Sequence, residues 1–162
     1  MIVLRYVYVL ALVVWLGGTF TIGAMVAPAA FAVLEGADPA TGRVQAGSVV
    51  GEVLRRFRPI EWAAGATLLV SLVVMKLIGP RPLGFGVRIA IVATMLACSL
   101  VAGLLVDPEI GRMRTSGSTA VSQLADDDAR RLRFGRLHGA STVLMGLTAL
   151  GGLALCFWET RE

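Results

Sequence analysis

The chain has 162 residues, of which 56% are hydrophobic and 16% are charged, and its formal net charge at pH 7 is +4. Soluble domains carry about 25% charged residues, so the composition excludes a soluble domain and predicts a single membrane domain over residues 1–162. The positive charge comes from fourteen arginines and one lysine that flank the apolar runs. Flanking charges of this kind predict contacts with membrane lipids and no nucleic-acid interface.

The first apolar run, residues 6–33, is long enough to cross a bilayer as a tilted helix. Small residues form two stripes at helical spacing along it, one of Gly17, Thr21, Ala24 and Pro28, the other of Thr19, Gly23, Ala27 and Ala30. Small residues let membrane helices approach closely, so the two stripes predict a helix at the centre of a bundle. The residues expected to pack helices together are Gly17, Gly18, Gly23 and Pro28, with Gly146 in the last span.

The alternative interpretation of the N-terminal run is a cleaved secretory signal. Ala30-Phe31-Ala32 has the small-x-small pattern of a cleavage site, and Arg5 would be the charged region before the apolar core. The apolar core of a signal is about 7 to 15 residues long, and this run is longer. The length therefore favours a retained span.

The next two spans are separated from the first by an amphipathic segment. Apolar residues at helical spacing from Ala46 to Phe57, opposite several arginines, predict a helix lying at the membrane interface. Arg58-Pro59 is predicted to interrupt it before the second span, residues 60–78. A Gly- and Pro-rich turn then leads to the third span, residues 87–106, so these two spans form a hairpin.

Asp107-Pro108 is predicted to close the third span and to cap a short helix over residues 109–114. The spacings of Asp126 with Arg130 and of Asp127 with Arg131 predict ion pairs in a helix that runs unbroken into the fourth span, residues 137–158. The predicted fold is therefore an all-α integral membrane protein, a four-transmembrane-helix bundle with interfacial amphipathic helices in loops 1–2 and 3–4.

The basic residues are distributed unevenly between the two ends of such a bundle. Loops 1–2 and 3–4 carry ten arginines, whereas the opposite side carries five basic residues. The positive-inside rule places both long loops in the cytoplasm and both termini outside, in a bacterial inner membrane.

Ionisable residues near the basic ends of the spans are candidates for ligand binding, because charges in a membrane are costly unless they are paired or used. These mouth candidates are Glu61, Asp107, Arg133, Arg136 and His138. Helical rise places Glu61, Asp107 and the single histidine, His138, close together, where an acidic neighbour would favour the imidazolium. The competing interpretation is a network of ion pairs with Arg58, Arg133 or Arg136 that locks the loops.

Counting the helical rise from the basic side predicts that four sulfur-containing side chains lie at similar depth in the membrane: Met25, Met95, Cys98 and Met145. Thioether and thiolate ligands select Cu(I), so they form a candidate soft-metal site. The competing interpretation is that Met and Cys fill gaps in the packing, and it is favoured because no Met-x-Met or Cys-x-x-Cys spacing occurs. We therefore expect no cofactor, and the lack of any nucleophile-base or phosphate-loop motif predicts a protein that is not an enzyme.

Several motifs spread over nearly the whole chain resemble a known family. Trp15, Gly17-Gly18, Pro28-x-x-Phe31, Asp107-Pro108 and Arg133-Phe134-x-x-Leu137-His138 are similar to the transmembrane protein 205-like family, whose shared domain is of unknown function. That resemblance implies a small four-span membrane protein without an agreed activity. The Trp15 to Gly18 segment is also similar to copper-resistance protein D-like membrane domains, but Arg5, Tyr6 and Tyr8 stand where those domains and the related haem-pathway oxidases have a histidine.

Polar and small residues follow inward-facing stripes on three spans. The stripes are Glu61, Gly65, Ser71 and Met75; Arg88, Met95, Cys98, Ser99 and Ala102; and His138, Ser141, Met145, Thr148, Gly152 and Cys156. A mildly polar interior suggests a transporter or exporter component that handles a small ligand. The alternatives are an accessory subunit of a larger membrane complex or a homo-oligomer held by small-residue stripes such as Gly139, Thr142, Gly146 and Ala149, and a copper- or haem-binding membrane protein.

Overall fold

A computed structural model describes residues 2–79, 83–115, 121 and 124–161. The elements in chain order are α1 (Ile2–Thr21), a π-turn (Ile22–Val26), α2 (Ala27–Ala37), α3 (Gly42–Ile78), α4 (Phe85–Val101), a second π-turn (Ala102–Val106), α5 (Asp107–Thr115) and α6 (Ala129–Glu159). The described residues contain four helices that are long and apolar enough to cross a membrane: Ile2–Ala37, Gly42–Ile78, Phe85–Arg114 and Ala129–Glu159. We call them spans 1 to 4. For the residues that the structure describes, the prediction of a helical fold with four helices long and apolar enough to cross a membrane is confirmed.

The four spans pack as a ring in which each span contacts the spans before and after it, and span 4 closes the ring on span 1. The core between them consists of large side chains: Tyr8, Leu12, Trp15, Leu68, Leu72, Val92, Met95 and Leu155. Span 1 is therefore one corner of the ring, and the prediction that it lies at the bundle's centre is wrong. The reason is that Tyr8, Leu12 and Trp15 occupy its inward face at i, i+4, i+7 spacing.

Only one of the two small-residue stripes of span 1 packs inside the bundle. Thr19 is buried, and a Cβ at Gly23 would lie 3.2 Å from the Met145 methyl group of span 4. Gly18 has no room for a side chain, because the Phe57 ring of span 2 covers it. Gly17, Pro28 and Gly146 are exposed, and open space surrounds the two glycines. Gly18 and Gly23 thus hold the bundle together, while the other three face away from it.

Both π-turns end two residues before a proline. The Ala27 N–H donates to the Ile22 carbonyl just before Pro28, and the Asp107 N–H donates to the Ala102 carbonyl just before Pro108. A widened turn relieves the clash between a proline ring and the preceding turn, so the helix continues instead of ending. The expected end of the helix at Asp107-Pro108 is therefore wrong, because α5 continues the helix without a break to Thr115.

Arg58-Pro59 likewise leaves span 2 unbroken. Pro59 lies inside α3, which runs for 37 residues from Gly42. The predicted interfacial helix and the second span are consequently one helix, and the expected interruption is wrong. A proline removes a single backbone hydrogen bond, and here packing on both sides of Pro59, by Phe57 against Gly18 and by Glu61 in the interior, holds the helix together.

The turns at the basic end are stabilised by aspartates. The Asp38 carboxylate accepts hydrogen bonds from the Thr41 hydroxyl and from the Ala40 and Thr41 N–H groups, which lowers the pKa of Asp38. Asp128 caps α6 by accepting from the Arg130 N–H at 2.7 Å.

The helix that contains span 4 begins at Ala129, after the three aspartates. The predicted i, i+4 pairs of Asp126 with Arg130 and Asp127 with Arg131 are wrong, because Asp126 lies before the helix and pairs with Arg131 at 2.8 Å. The predicted helix therefore starts at Ala129 and not at the aspartates, but its unbroken run into span 4 is confirmed.

The predicted hairpin of spans 2 and 3 agrees with their mutual packing. Gly84 precedes α4 with a left-handed φ of 62°, a conformation that favours glycine. Residues 80–82 of the predicted turn and residues 116–118 of the predicted flexible loop lie outside the described residues.

Candidate functional site: a buried ion network and a basic cavity

A network of buried charges joins three spans near the basic end. Arg58 of span 2 donates to Glu61 Oε2 from Nη1 at 2.8 Å, and to Asp107 Oδ2 of span 3 from Nε and Nη2 at 2.9 and 2.8 Å. The Ser99 hydroxyl donates to Glu61 Oε2 at 2.5 Å, and the Ser141 hydroxyl of span 4 donates to Asp107 Oδ1 at 3.3 Å. One guanidinium therefore holds two carboxylates from different spans.

The burial of this network makes its pairing essential. The Arg58 and Glu61 side chains are 9% and 4% exposed, and the Asp107 side chain is 23% exposed. Ionised groups removed from water at such depth are stable only when paired and hydrogen-bonded. For Glu61 and Asp107, the interpretation as a locking ion network is the one that agrees with the structure.

His138 does not join Glu61 and Asp107, and the expected three-residue mouth cluster is wrong in this respect. Its side chain is exposed and stacks on Phe134, with ring centroids 6.2 Å apart and an interplanar angle of 5°. Ser141, three residues further along α6, is the residue that reaches Asp107. The side chains of a helix three residues apart point in similar but not identical directions, and that difference decides which one meets the carboxylate.

His138 instead lines a cavity of about 700 Å³ at the basic end, between the start of α3, the end of α5 and the start of α6. Its charged lining consists of Arg43, Arg114, Arg131, Arg136 and Asp126 together with His138. Its other lining residues are Phe31, Val44, Gly47, Val121, Leu132, Phe134 and Gly135. Four arginines against one aspartate make this cavity positively charged.

The arginines of this cavity differ in how they are held. Arg114 donates to the Gly47 carbonyl and lies 5.8 Å from the centre of the Phe134 ring. Arg131 is tied to Asp126 and to the Leu124 carbonyl. Arg136 is exposed, and within the described part of the chain it has no hydrogen-bond or ion-pair partner. The same cavity is lined by the Arg136 guanidinium and by the Phe31 and Phe134 rings. This lining suits a ligand that carries both negative charge and apolar surface.

Arg133, the remaining mouth candidate, lies elsewhere on α6. Its Nη2 donates to Glu109 Oε1 of α5 at 2.7 Å. Both residues line a second cavity of about 410 Å³, which also contains Arg112, Met113, Ala129 and Arg130. Arg133 and Arg136 therefore belong to different cavities although both were predicted at the same mouth.

The four sulfur side chains are not gathered in one site. Met25 is 67% exposed and lies on the outward side of span 1, whereas Met95 is 2% exposed and packs against Gly151. Cys98 is buried, and the half-buried Met145 rests against Gly23. Met25 thus faces away from the bundle interior, whereas Met95 and Met145 pack against glycines as gap-filling side chains do.

A second ion cluster, at the other end of the bundle, did not follow from the sequence pattern. The buried Arg88 and the half-exposed Arg5 both pair with Glu159, the last residue of α6, and Arg5 Nη2 also donates to the Glu159 carbonyl. The Arg88 guanidinium also lies 4.9 Å from the centre of the Tyr8 ring. Arg88 was placed on the inward stripe of span 3, but its partners come from spans 1 and 4, which no local pattern connects.

These features define a class of protein: over the described residues it is a small helical protein with four helices long and apolar enough to cross a membrane and an ion cluster towards each end. Residues 10–119 match the family described as a domain of unknown function (DUF4149), and the chain belongs to that family. No curated protein matches the chain, and no solved structure does.

Proposed function

We propose that this protein is a component of a transport or export system, and that it binds a small ligand in the 700 Å³ cavity at its basic end. The single observation that carries the proposal is this cavity, which is large enough for a ligand and is lined by Arg136, His138 and two phenylalanines. The inward stripes of spans 2 and 3 also support it, because their polar members Glu61, Ser71, Arg88 and Ser99 are buried.

The proposed ligand enters from the basic side and does not pass along the bundle axis. The middle of the bundle is filled by the large core residues, of which Tyr8, Trp15, Leu68 and Leu72 have no exposed surface. On the route from the cavity to this core we place the ion network of Arg58, Glu61 and Asp107, whose pairing leaves no open path. Release to the other side would need a further subunit or a movement of the spans, which is why we propose a component and not a complete transporter.

The proposal includes the orientation and the membrane. Ten arginines near the cavity end, against five basic residues at the other, favour a cytoplasmic cavity and external termini in a bacterial inner membrane. The resemblance to the transmembrane protein 205-like family supports the same four-span arrangement. A cysteine-accessibility assay on single substitutions in loop 1–2 and at the C-terminus tests the orientation, and labelling of the loop from outside the cell would contradict it.

Replacing His138 with alanine separates a ligand role from a structural one. Because the imidazole is exposed and, among the described residues, stacks only on Phe134, we expect the free energy of unfolding to stay within about 0.5 kcal/mol of the wild type. We expect the cavity to lose affinity for any compound that stabilises the wild type in a thermal-shift screen of small organic anions. A loss of stability above about 1 kcal/mol would instead indicate the structural role. A screen without any stabilising anion would contradict the proposed function.

A second candidate function is an accessory subunit of a larger membrane complex, or a homo-oligomer. It is favoured by the stripe Gly139, Thr142, Gly146 and Ala149 on α6, of which the first three residues are exposed and whose glycines have open space beside them. The corresponding stripe of span 1 is less suitable, because Thr19 and Gly23 already pack inside the bundle.

Purification in a mild detergent tests this second candidate. If the α6 stripe is an interface, the wild type should elute as an oligomer or with a partner, and Gly146→Leu should release a monomer because the added side chain prevents close helix approach. Gly17→Leu, at an equally open glycine on span 1, is the matched control and should leave the complex intact. A wild type that elutes as a lone monomer would contradict the candidate.

A further inference from the structure

We propose that the cavity lined by Arg136 and His138 is a binding site for the phosphate group of an anionic membrane lipid, with an acyl chain lying against Phe31 and Phe134. This inference deepens the proposed function by naming the ligand class, and it rests on that function's cavity.

The depth of the cavity supports a lipid. Phe31 lies near the end of the apolar run of span 1, and His138 lies near the start of the apolar run of span 4. The cavity therefore lies where the hydrocarbon layer gives way to the headgroups. Cations at that level attract anionic headgroups, and aromatic rings at the same level contact the upper part of the acyl chains.

The packing of span 1 leaves the cavity open. Span 1 packs against span 4 through α1, and Met145 contacts Gly23 in the π-turn. Beyond the π-turn and Pro28, α2 packs mainly on α3. Phe31 of α2 and Phe134 of α6 both line this cavity, and among the described residues α2 has α3 and not α6 as its main neighbour. A gap between helices at the headgroup level is accessible to a lipid from the bilayer.

The charges of the two neighbouring cavities differ in a way that favours this one. In the smaller cavity, Glu109 pairs with Arg133 at 2.7 Å and with Arg112 at 3.6 Å, so both of these arginines already have a carboxylate partner. In the larger cavity, Asp126 pairs with Arg131, and among the described residues Arg43 has only a long contact of 3.8 Å with the half-exposed Glu35. Arg136 and Arg43 are therefore the arginines best placed to bind a phosphate group.

The ligand chemistry follows from this lining. A phosphodiester presents oxygen acceptors to guanidinium donors, which bind phosphate in a bidentate manner. The ring N–H of His138, beside Phe134, would add a further donor. Free inorganic phosphate would use the same cations but not the two phenylalanines, so the apolar lining distinguishes a lipid from a free anion.

Native mass spectrometry of the purified protein in detergent tests the inference with three probes. They are dioctanoylphosphatidylglycerol, dioctanoylphosphatidylcholine with the same acyl chains and no net charge, and inorganic phosphate. We expect one tight site for phosphatidylglycerol, at least tenfold weaker binding of phosphatidylcholine, and no retained inorganic phosphate. Affinity should fall with added salt, because exposed charges are screened.

Variants locate the site. Arg136→Gln and Arg43→Gln should each weaken phosphatidylglycerol binding about fivefold, the ratio that corresponds to ~1 kcal/mol for an arginine near an anionic surface. The double variant should weaken it about 25-fold. Arg133→Gln is the matched control, since it removes an equally exposed positive charge three residues away but lines the other cavity, and it should leave the affinity unchanged. These side chains are exposed, so the variants should fold.

Each alternative outcome overturns the inference. Equal loss of affinity in Arg133→Gln and Arg136→Gln would indicate attraction by overall charge and no specific site. Equal binding of both lipids would indicate an apolar contact only, and retention of inorganic phosphate would indicate a free-anion site. If a small organic anion stabilises the wild type through His138 while neither lipid binds, the lipid inference fails and the proposed function stands. If no anion of either kind binds, both fail.

Discussion

Replacing Arg58 with methionine should lower the free energy of unfolding by about 3–5 kcal/mol, because it leaves the buried Glu61 and the partly buried Asp107 carboxylates without their shared partner. The Glu61 side chain is 4% exposed, and among the described residues it would keep only the Ser99 hydroxyl as a donor, while Asp107 would keep only the long contact with Ser141. Methionine preserves most of the side-chain length, so the loss measures charge and not volume. Unfolding in mixed micelles with increasing denaturing detergent, followed by tryptophan fluorescence, gives the measurement.

Two controls show whether the loss comes from unpaired charge. Arg58→Met combined with Glu61→Gln and Asp107→Asn removes all three charges and should recover most of the lost stability, since neutral amides cost less to bury than unpaired ions. Arg55→Met, at an exposed arginine of the same helix that pairs only with Glu52, should leave stability close to wild type. Equal losses in Arg58→Met and in the triple variant would show that the network is not held by charge pairing.

Replacing Trp15 with alanine should lower the free energy of unfolding by about 3–5 kcal/mol, because it removes the largest side chain of the core and leaves a cavity in its place. Trp15 has no exposed surface, and its ring packs over Gly65 of span 2 beside Leu96 of span 3. In a bilayer, close packing replaces the hydrophobic effect as the main attraction between helices, so a cavity at this point loosens three spans together. The same micelle-unfolding measurement applies.

Trp15→Phe is the informative comparison. The indole N–H of Trp15 is buried and has no hydrogen-bond partner among the described residues, so phenylalanine gives up no hydrogen bond. We expect its cost to be less than half that of Trp15→Ala, and a Phe157→Ala variant, at an exposed ring near the C-terminal end, to be close to wild type. A Trp15→Phe variant as unstable as Trp15→Ala would show that the indole N–H makes an essential contact.

The two predictions concern the two ways in which this bundle is held. The Arg58 network joins spans 2, 3 and 4 at the basic end, the Arg5 and Arg88 pairs with Glu159 join spans 1, 3 and 4 at the other, and Trp15 lies in the packed core between them. Ion pairs near each end of an apolar core fix the relative rotation of the helices, since a rotated helix would leave a charge unpaired. The exposed cavity residues lie outside this framework and are free to serve a ligand.

The sequence by itself determined the class of the fold. Four apolar runs separated by charged loops were enough to predict a bundle of four apolar helices. The reason is that the length and hydropathy of a run are local properties, which the bilayer selects for directly. Periodicity also gave the inward faces of spans 2 and 3, where Glu61, Met75, Arg88, Met95 and Ser99 are all buried. The sequence pattern also predicted that Glu61 and Asp107 lie at the basic end, with Arg58 among their possible ion-pair partners.

Only the tertiary structure decided where the helices end and which residues meet. Pro59 and Pro108 were expected to end helices, but packing against neighbouring spans and a widened turn before Pro108 keep spans 2 and 3 continuous. Whether Ser141 or His138 reaches Asp107, which small stripe of span 1 faces inward, and which arginine pairs with Glu109 all depend on how each helix is rotated about its axis. That rotation is set by contacts between segments far apart in the chain, which no local pattern records.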